Sequence, residues 1–420
     1  MNASYKIRTR LFKFILFFAT LIVCVSIMEI SVRWLNPMSN ERWSDLFFSY
    51  DPILGNSGIA NKKGIFASHS FNTTVEHNKE GFRDVDHDRH NSDGKFRIIS
   101  VGDSFTWGHG VDGHEIYMKV LEQIDPRIET INLGGPGGDP AGELLAYILH
   151  GLKYEHDLVM VGIYLGNDLT TYQPNENTSP PRWGYDPDGY FDLIGQVQSP
   201  EVTQAIRQQI ETKHSPNKYK TLNKRIHYWL IKNFQFYTFL DNLQDGFADR
   251  IKSSPWFVKT AGFFGKKAQR GKGFLNHCLK NDPPGEKEAW NYMEEILTRF
   301  KMVAEGASAR LYLVFIPHVV QTSDSVFVNT VNRLGDDVEN FDIWKPNRKL
   351  AVLSEKLGID YLDLLPALRE ETQKKGLLYY RRDPHWTPAG HRAAAYAIQK
   401  DLQSRGFSHP GSERNLLNLE

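Results

Sequence analysis

Cysteine is nearly absent from this chain, with two in 420 residues, Cys24 and Cys278. That count excludes a disulfide framework and a cysteine-based metal site. Net charge is absent as well, because 50 Lys and Arg balance 50 Asp and Glu. Without an excess of positive charge there is no electrostatic footprint for nucleic acid as a partner. Repeats and low-complexity tracts do not occur. The chain also lacks a G-x-x-x-x-G-K-[ST] phosphate loop and an H-E-x-x-H pair, and His109, His114, His318 and His385 are scattered along it. What remains is an ordinary globular composition, long enough for one large domain or two smaller ones.

The first forty residues differ from the rest. "LFKFILFFATLIVCVSIMEISVRWL" (Leu11 to Leu35) holds an uncharged apolar core from Phe14 to Met28, preceded by Lys6, Arg8, Arg10 and Lys13. The core is short against the roughly 20 residues that cross a bilayer. Lys13 before it, and Arg33 and Trp34 after it, make up the length by snorkelling. No A-x-A-like site follows the core, so an uncleaved anchor is expected rather than a cleaved signal peptide. The basic flank places residues 1–10 in the cytoplasm, residues 11–35 in the membrane and everything beyond on the outer side. A single cysteine in that outer part suits an oxidising compartment.

Residues 36–95 are polar and read as a stalk plus an irregular cap. From residue 96, β-rich runs alternate with helical patterns. Strands are predicted at "FRIISV" from Phe96, "IETINL" from Ile128, "DLVMVGIYL" from Asp157, "ARLYLVFI" from Ala309 and "GIDYLDL" from Gly358. Between them, "HEIYMKVLEQI", "PAGELLAYILHGL", "EAWNYMEEILTRFKMVAEG" and "NRKLAVLSEKLG" repeat apolar residues at three- and four-residue steps. Continuous apolar strands separated by amphipathic helices predict a five-stranded parallel sheet covered on both faces, a three-layer flavodoxin-like α/β domain over residues 96–405. The alternation breaks over residues 170–286. There "TYQPNENTSPPRWGYDPDGYFD" reads as a long loop, "YKTLNKRIHYWLIKNFQFYTFLDNL" as amphipathic helix, and "PWFVKTAGFFGKK" as an aromatic and basic stretch. A helical subdomain is expected; a lid or a lipid-facing surface is the sharper alternative. Residues 406–420 form a tail.

Chemistry-bearing residues collect where strands end. Asp103 and Ser104 follow the first strand, "NLGGPGGDPAG" (Asn132 to Gly142) follows the second, and "YLGNDL" (Tyr164 to Leu169) follows the third with Asn167. Such exits are where open α/β sheets build sites. Exposed backbone N–H groups of a glycine loop suit an oxyanion or a phosphate. Near the C-terminus, "YYRRDPHWTPAGHRAAAYAIQ" puts Asp383 two residues before His385, on a loop entering a helix whose N-cap and first residue are Thr387 and Pro388. An Asp so placed fixes a histidine tautomer and stabilises its imidazolium. His391 has no acid at that spacing and is expected to be structural.

The blocks "GDSFTWG", "NLGGPGG", "LGND" and "DPHW" stand in the order found in the SGNH (GDSL-type) hydrolases, and the chain resembles that family over about residues 96–403. "NKEGFRDV" (Asn78 to Val85) resembles the segment that precedes the first block in many bacterial members. Two blocks depart from the common pattern. The Asp-Pro-His end block is one residue tighter than D-x-x-H, as in a large membrane-linked subset, and Gly166 directly precedes Asn167 where G-x-N-D is common. The resemblance implies Ser104 as nucleophile, His385 as general base and then acid, and Asp383 as its orienter. The Ser104 and Gly137 backbone N–H groups and the Asn167 amide would form the oxyanion hole, with Asp103 holding the turn. It implies no cofactor and no metal. The expected protein is a membrane-anchored serine esterase or deacetylase working through an acyl-serine on O-acyl groups of extracytoplasmic glycans or lipids. The alternatives are an O-acyltransferase that decorates a cell-surface polysaccharide and a non-catalytic glycan-binding or assembly subunit.

Overall fold

The computed structural model describes residues 3–35, 47–68, 70–169, 173–213, 226, 229–230, 233–240, 273–381 and 383–407. Two compact units emerge, one from Met1–Leu46, Ile65–Asn72 and Glu211–Lys267, the other from Phe47–Gly64, Thr73–Ile210 and Ala268–Glu420.

In the first unit a single helix runs over Ala3–Leu35. Its stretch Arg10–Leu35 is long and apolar enough to cross a membrane, a property that anchors and signal sequences share. Towards its end the Glu29 carboxylate accepts from the backbone N–H groups of Gln235 and Phe236 at 3.0 and 2.8 Å, and pairs with Arg33 at 2.6 Å. The aromatic and basic stretch from Pro255 lies outside the described residues, as does most of the predicted amphipathic helix before it.

The second unit carries the sheet. Its strands are β1 (Phe96–Gly102), β2 (Ile128–Asn132), β3 (Leu158–Tyr164), β4 (Arg310–Ile316) and β5 (Asp360–Asp363). They pair in parallel in the spatial order β2-β1-β3-β4-β5, so all five expected strands form one flavodoxin-like sheet. Alternate residues serve opposite faces. Ile99, Val101, Val159, Val161, Leu313 and Phe315 enter one core, and Ile98, Met160, Tyr312, Val314 and Ile316 the other. Every residue of both β1 and β3 is buried, which is why β3 reads as an unbroken apolar run and β1 as one interrupted only by the buried Arg97 and Ser100.

Helices α1 (Tyr117–Ile124), α2 (Pro140–Leu149), α3 (Glu286–Gly306), α4 (Lys345–Leu357), α5 (Leu365–Lys375) and α6 (Pro388–Ser404) cover the two faces. Leu144 and Tyr147 of α2 and Ile296 and Phe300 of α3 close the first core. Leu121 of α1 and Ala394, Ile398 and Leu402 of α6 close the second. Each helix presents its three- and four-residue apolar stripe to the sheet, as the sequence periodicity requires.

One segment departs from expectation. The stretch read as a long loop contains an antiparallel hairpin, Arg182–Tyr185 against Phe191–Ile194. Its turn is made by Asp186, whose side chain accepts from the N–H groups of Asp188 and Tyr190 at 3.0 and 2.8 Å. Trp183 and Phe191 are buried, and Tyr292 of α3 donates to the Trp183 carbonyl at 3.0 Å. The strands are too short to carry a recognisable alternation, and the Pro and Asp of their turn dominate the local composition. A helix over Pro200–Lys213 follows, also unforeseen.

The polar segment before β1 fastens the strand ends that matter. Arg83 is fully buried and donates to the carbonyls of Gly108 and Val111, and to that of Thr74 at 3.0 Å, with its guanidinium 4.7 Å over the Trp107 ring. Burial pushes its pKa down to about 9, which still leaves it charged at neutral pH. Asp84 accepts from the Asn132 N–H at 2.8 Å and pairs with Lys119 at 2.8 Å. These residues belong to "NKEGFRDV", which therefore braces the loop after Ser104 and the end of β2. Arg83→Met keeps the stem and removes the donors. It should lower unfolding free energy by about 3 kcal/mol in denaturant titration, because several buried carbonyls lose their partner at once. A loss below about 1 kcal/mol would show that the brace is dispensable.

Candidate active site

β1 ends at Gly102, where the chain has no room for a side chain: a Cβ there would sit 2.1 Å from Thr106 Oγ1. The next residue, Asp103, caps a single helical turn, Ser104–Trp107, by accepting from the Phe105 N–H at 2.9 Å. Ser104 is thus the first residue of a turn lifted off the carboxyl end of β1. Asn132, at the end of β2, clamps that turn. Its amide donates to the Thr106 carbonyl at 2.9 Å while its oxygen accepts from the Gly134 N–H at 2.9 Å. The glycine loop is held beside the turn by a further bond, from the Gly135 N–H to the Gly102 carbonyl at 3.0 Å.

The C-terminal loop meets this turn. Ser104 Oγ lies 2.7 Å from His385 Nε2. On the other side of the ring, Nδ1 bonds Asp383 Oδ1, and the same oxygen accepts from the His385 backbone N–H at 3.0 Å. With Nδ1 facing a carboxylate, Nδ1 carries the proton and Nε2 is free to accept from the serine hydroxyl. Thr387 caps α6 by accepting from the Gly390 N–H at 3.4 Å, with Pro388 at the first helical position, as the sequence indicates. Phe105 and Trp386, both buried, pack at 4.9 Å, and Phe105 lies 5.0 Å from the His385 ring. His391 is fully buried and its Nδ1 accepts from the Tyr117 N–H at 3.2 Å, a structural place.

Asn167 follows β3, and its side chain is near enough to the Asp103 carboxylate to lower that group's pKa. It therefore stands next to Ser104, across the β1–β3 boundary where the strand order reverses, and it is exposed. Gly137 lies on the glycine loop with φ +72°, in open space. The structure thus brings Ser104, Asp383, His385 and Asn167 together at one sheet edge and sets the Gly137 loop alongside.

Sequence reasoning missed a fifth residue. In sequence His109 is one of several scattered histidines. In the fold its ring stacks on that of His385, with centroids 3.8 Å apart and planes at 22°, and its Nε2 lies 3.3 Å from Asp383 Oδ2. Two histidines therefore share one carboxylate. Burial opposes ionisation of Asp383, but hydrogen bonds from His109 and His385 outweigh it and hold the carboxyl well below its usual range. Burial, with the neighbouring His385, pushes His109 down. The signal was invisible because 274 residues separate His109 from Asp383. Ligand atoms of His109, Asp383 and His385 all lie within 4.8 Å of one another, a set able to hold a metal ion.

A second group of acids lies behind the site. Asp103, Glu143 and Asp168 are buried; Asp103 raises the proton affinity of Glu143 and Asp168, and Glu143 raises that of Asp168. Burial pushes Asp103 up to about 6, and it pushes Glu143 and Asp168 well above the usual carboxylate range. Asp168 accepts from the Tyr164 N–H at 2.6 Å, whereas neither Glu143 oxygen has a hydrogen-bond partner.

Residues 337–416 match the family model of the SGNH hydrolase-like domain, acetyltransferase AlgX. That match contains Asp383 and His385, while Ser104, Gly137 and Asn167 precede it. With the α/β fold around it, the match shows that the protein carries an SGNH hydrolase-like domain. It is accordingly an acyl-modifying enzyme, a hydrolase of ester bonds or a related acyltransferase. Similar solved structures include a lipolytic G-D-S-L family member from Veillonella parvula, 11% identical over 73% of this chain and 98% of that one, with a TM-score of 0.34. Esterase EstA from Pseudoalteromonas sp. is 10% identical over 74% and 98%, at 0.34. The acetylxylan esterase Axe2 from Geobacillus stearothermophilus is 12% identical over 73% and 93%, at 0.33. No curated protein matches the chain.

The unpartnered Glu143 makes a prediction. Its raised folded pKa means that stability is full below the unfolded value near 4.5 and falls as pH rises towards the folded pKa. Glu143→Gln cannot ionise and escapes that fall. The variant should match the parent in thermal stability at pH 4 and exceed it at pH 8, by about 1.4 kcal/mol for each unit by which the carboxyl is raised. Equal stability at both pH values would mean that Glu143 ionises freely in the fold.

Proposed function

We propose that the protein is a membrane-anchored serine esterase or deacetylase that removes O-acyl groups from extracytoplasmic glycans or lipids. The observation that carries this reading is the continuous hydrogen-bonded line from Ser104 Oγ through the His385 ring to Asp383. The apolar Arg10–Leu35 helix, with its basic N-terminal flank, supports an anchor and an outward-facing site.

In this mechanism His385 Nε2 takes the Ser104 proton as Oγ bonds to the ester carbonyl carbon. Asp383 keeps Nδ1 protonated and stabilises the imidazolium. The negative oxygen that forms is met by the Ser104 and Gly137 N–H groups and by the Asn167 amide, donors fixed before the charge develops. Collapse breaks the bond to the alcohol, which leaves with the proton held by His385, and an acyl-serine remains. A water molecule, deprotonated by His385, then attacks the acyl carbon, and Ser104 leaves with that proton while the free acid departs. If a glycan hydroxyl takes the place of water, the same steps transfer the acyl group. The match of residues 337–416 to an acetyltransferase domain favours keeping that second reading. The non-catalytic alternative is disfavoured by a Ser104–His385 bond of ordinary length.

A serine-reactive fluorophosphonate should add one adduct to the protein and none to Ser104→Ala, as read by intact mass. Ser104→Ala, His385→Ala and the double variant should lose similar activity on a small acetyl ester, since members of one nucleophilic unit are not additive. A double variant far below both singles would separate the two residues. Product analysis with an acetylated glycan, with and without a second glycan as acceptor, tells hydrolysis from transfer.

His109 acts here as a positioning residue. Its bond to Asp383 draws off part of the charge that would otherwise favour the His385 imidazolium. In His109→Phe, which keeps the stack but loses the bond, the acid limb of the kcat/KM profile should therefore move to higher pH. His109→Gln, which can restore a donor, should move it back. An unshifted limb in His109→Phe would leave the histidine a packing role only.

A further inference from the structure

On the side of the glycine loop lies a cavity of about 320 Å³. The loop itself, Gly134–Gly138, forms one wall, and Gly142, Glu143, Ala146 and His150 from α2 and the residue after it form another. Phe48, Leu54 and Phe82 from the segment before β1, with Trp107, supply apolar surface. The cavity is thus contiguous with the loop whose Gly137 N–H is assigned to the oxyanion. It does not include Ser104.

The polar lining is one-sided. Asp51, Glu80 and Glu143 line the cavity, and no lysine or arginine does. Glu143 is 4% exposed, and neither of its oxygens meets a hydrogen-bond donor. Its carboxyl sits just under the loop, since a Cβ on Gly138 would lie 3.5 Å from Glu143 Oε1. Glu80 Oε2 and His150 Nδ1 face each other at 3.8 Å as a pair on the same lining. Buried polar atoms are rarely left without a partner, and an unmet carboxyl facing a cavity indicates a guest with hydroxyl or amine groups, which bond a carboxyl in either protonation state. The volume is at the lower end of ligand pockets, roughly 300–1,000 Å³, with the mix of aromatic walls and few polar groups that such pockets show. A carboxylated, sulfated or phosphorylated guest would face the Asp51 and Glu80 carboxylates with no lysine or arginine on the lining to offset them.

We propose that this cavity is a subsite for one sugar ring that carries hydrogen-bond donors and no negative charge, its hydroxyl or amine groups meeting Glu143, Glu80 and His150. The inference deepens the reading above, on which it rests for the glycan nature of the substrate: the ring seated here belongs to the acylated or accepting glycan, next to the residue presented to Ser104. It selects neutral or amino-bearing glycans and rejects polyuronates.

Saturation-transfer NMR on full-length Ser104→Ala protein in detergent tests it, with methyl glucoside, glucosamine and methyl glucuronide as probes. Methyl glucoside and glucosamine should receive saturation, and the uronate at least about tenfold less. The two sources of donors separate in Glu143→Gln, which should keep methyl glucoside and lose any preference for the amine. Ala146→Trp fills the cavity from α2 and should abolish both signals. Should that variant not fold, Glu143→Leu, which removes the acceptor at similar size, should weaken both at least about tenfold. Uronate binding as strong as glucoside, signals unchanged in the folded cavity variants, or no saturation of any probe would overturn the proposal and leave a cavity that holds solvent only. Binding is read without turnover. Ester cleavage with no sugar binding therefore defeats the subsite alone, and sugar binding without any ester cleavage defeats the esterase reading alone.

Discussion

The hydrogen bond between Ser104 and His385 depends on more of the structure than any other single contact. It joins two residues 281 positions apart. Forming it requires that β1 end in a turn that lifts the hydroxyl, and that α6 pack against the opposite sheet face so that its entry loop reaches the same edge. The turn needs a glycine before it and an aspartate cap; the loop needs Thr387 and Pro388 to start the helix at a defined place. The brace from Arg83 and the clamp from Asn132 fix the far side of the turn. Each of these is an ordinary device of folding. Together they hold a base and an alcohol at bonding distance, which neither side chain's own flexibility would do.

The same edge concentrates charge that the fold keeps out of water. Asp383 is held ionised by two histidines, whereas burial pushes up Asp103, Glu143 and Asp168, deeper in the same region, and the charge of Asp103 adds to the rise of the other two. Carboxyls at one strand edge are thus driven in opposite directions by their surroundings. Divergence of this kind is a mark of sites where proton transfer is organised.

The sheet was legible because parallel strands buried on both faces are rich in β-branched and aromatic residues, and each of the five such runs became a strand. Helices α1 to α4 were legible from their stripes and α6 from its Thr387-Pro388 start, whereas α5 was not foreseen. Ser104, Asp383, His385 and Asn167 were legible because the polar residues that follow strands share an edge once the strands are ordered. The hairpin at Arg182–Tyr185 was not, since four-residue strands hold too little alternation to outweigh a turn rich in Asp and Pro. His109 was not legible either: its partner is brought to it only by the docking of α6. Nor did "NKEGFRDV" announce a brace, because buried arginine and aspartate look in sequence like any solvated polar stretch.

The division of the site between the two ends of the domain has a temporal consequence. Ser104 sits on the first strand of the sheet, and its base sits at the entry to the last helix. While the chain is being made, almost the whole sheet can be present before the residues that turn an alcohol into a nucleophile exist. Reactivity is therefore a property of the finished chain alone. A partly synthesised molecule that stops short of His385 holds the alcohol without its base.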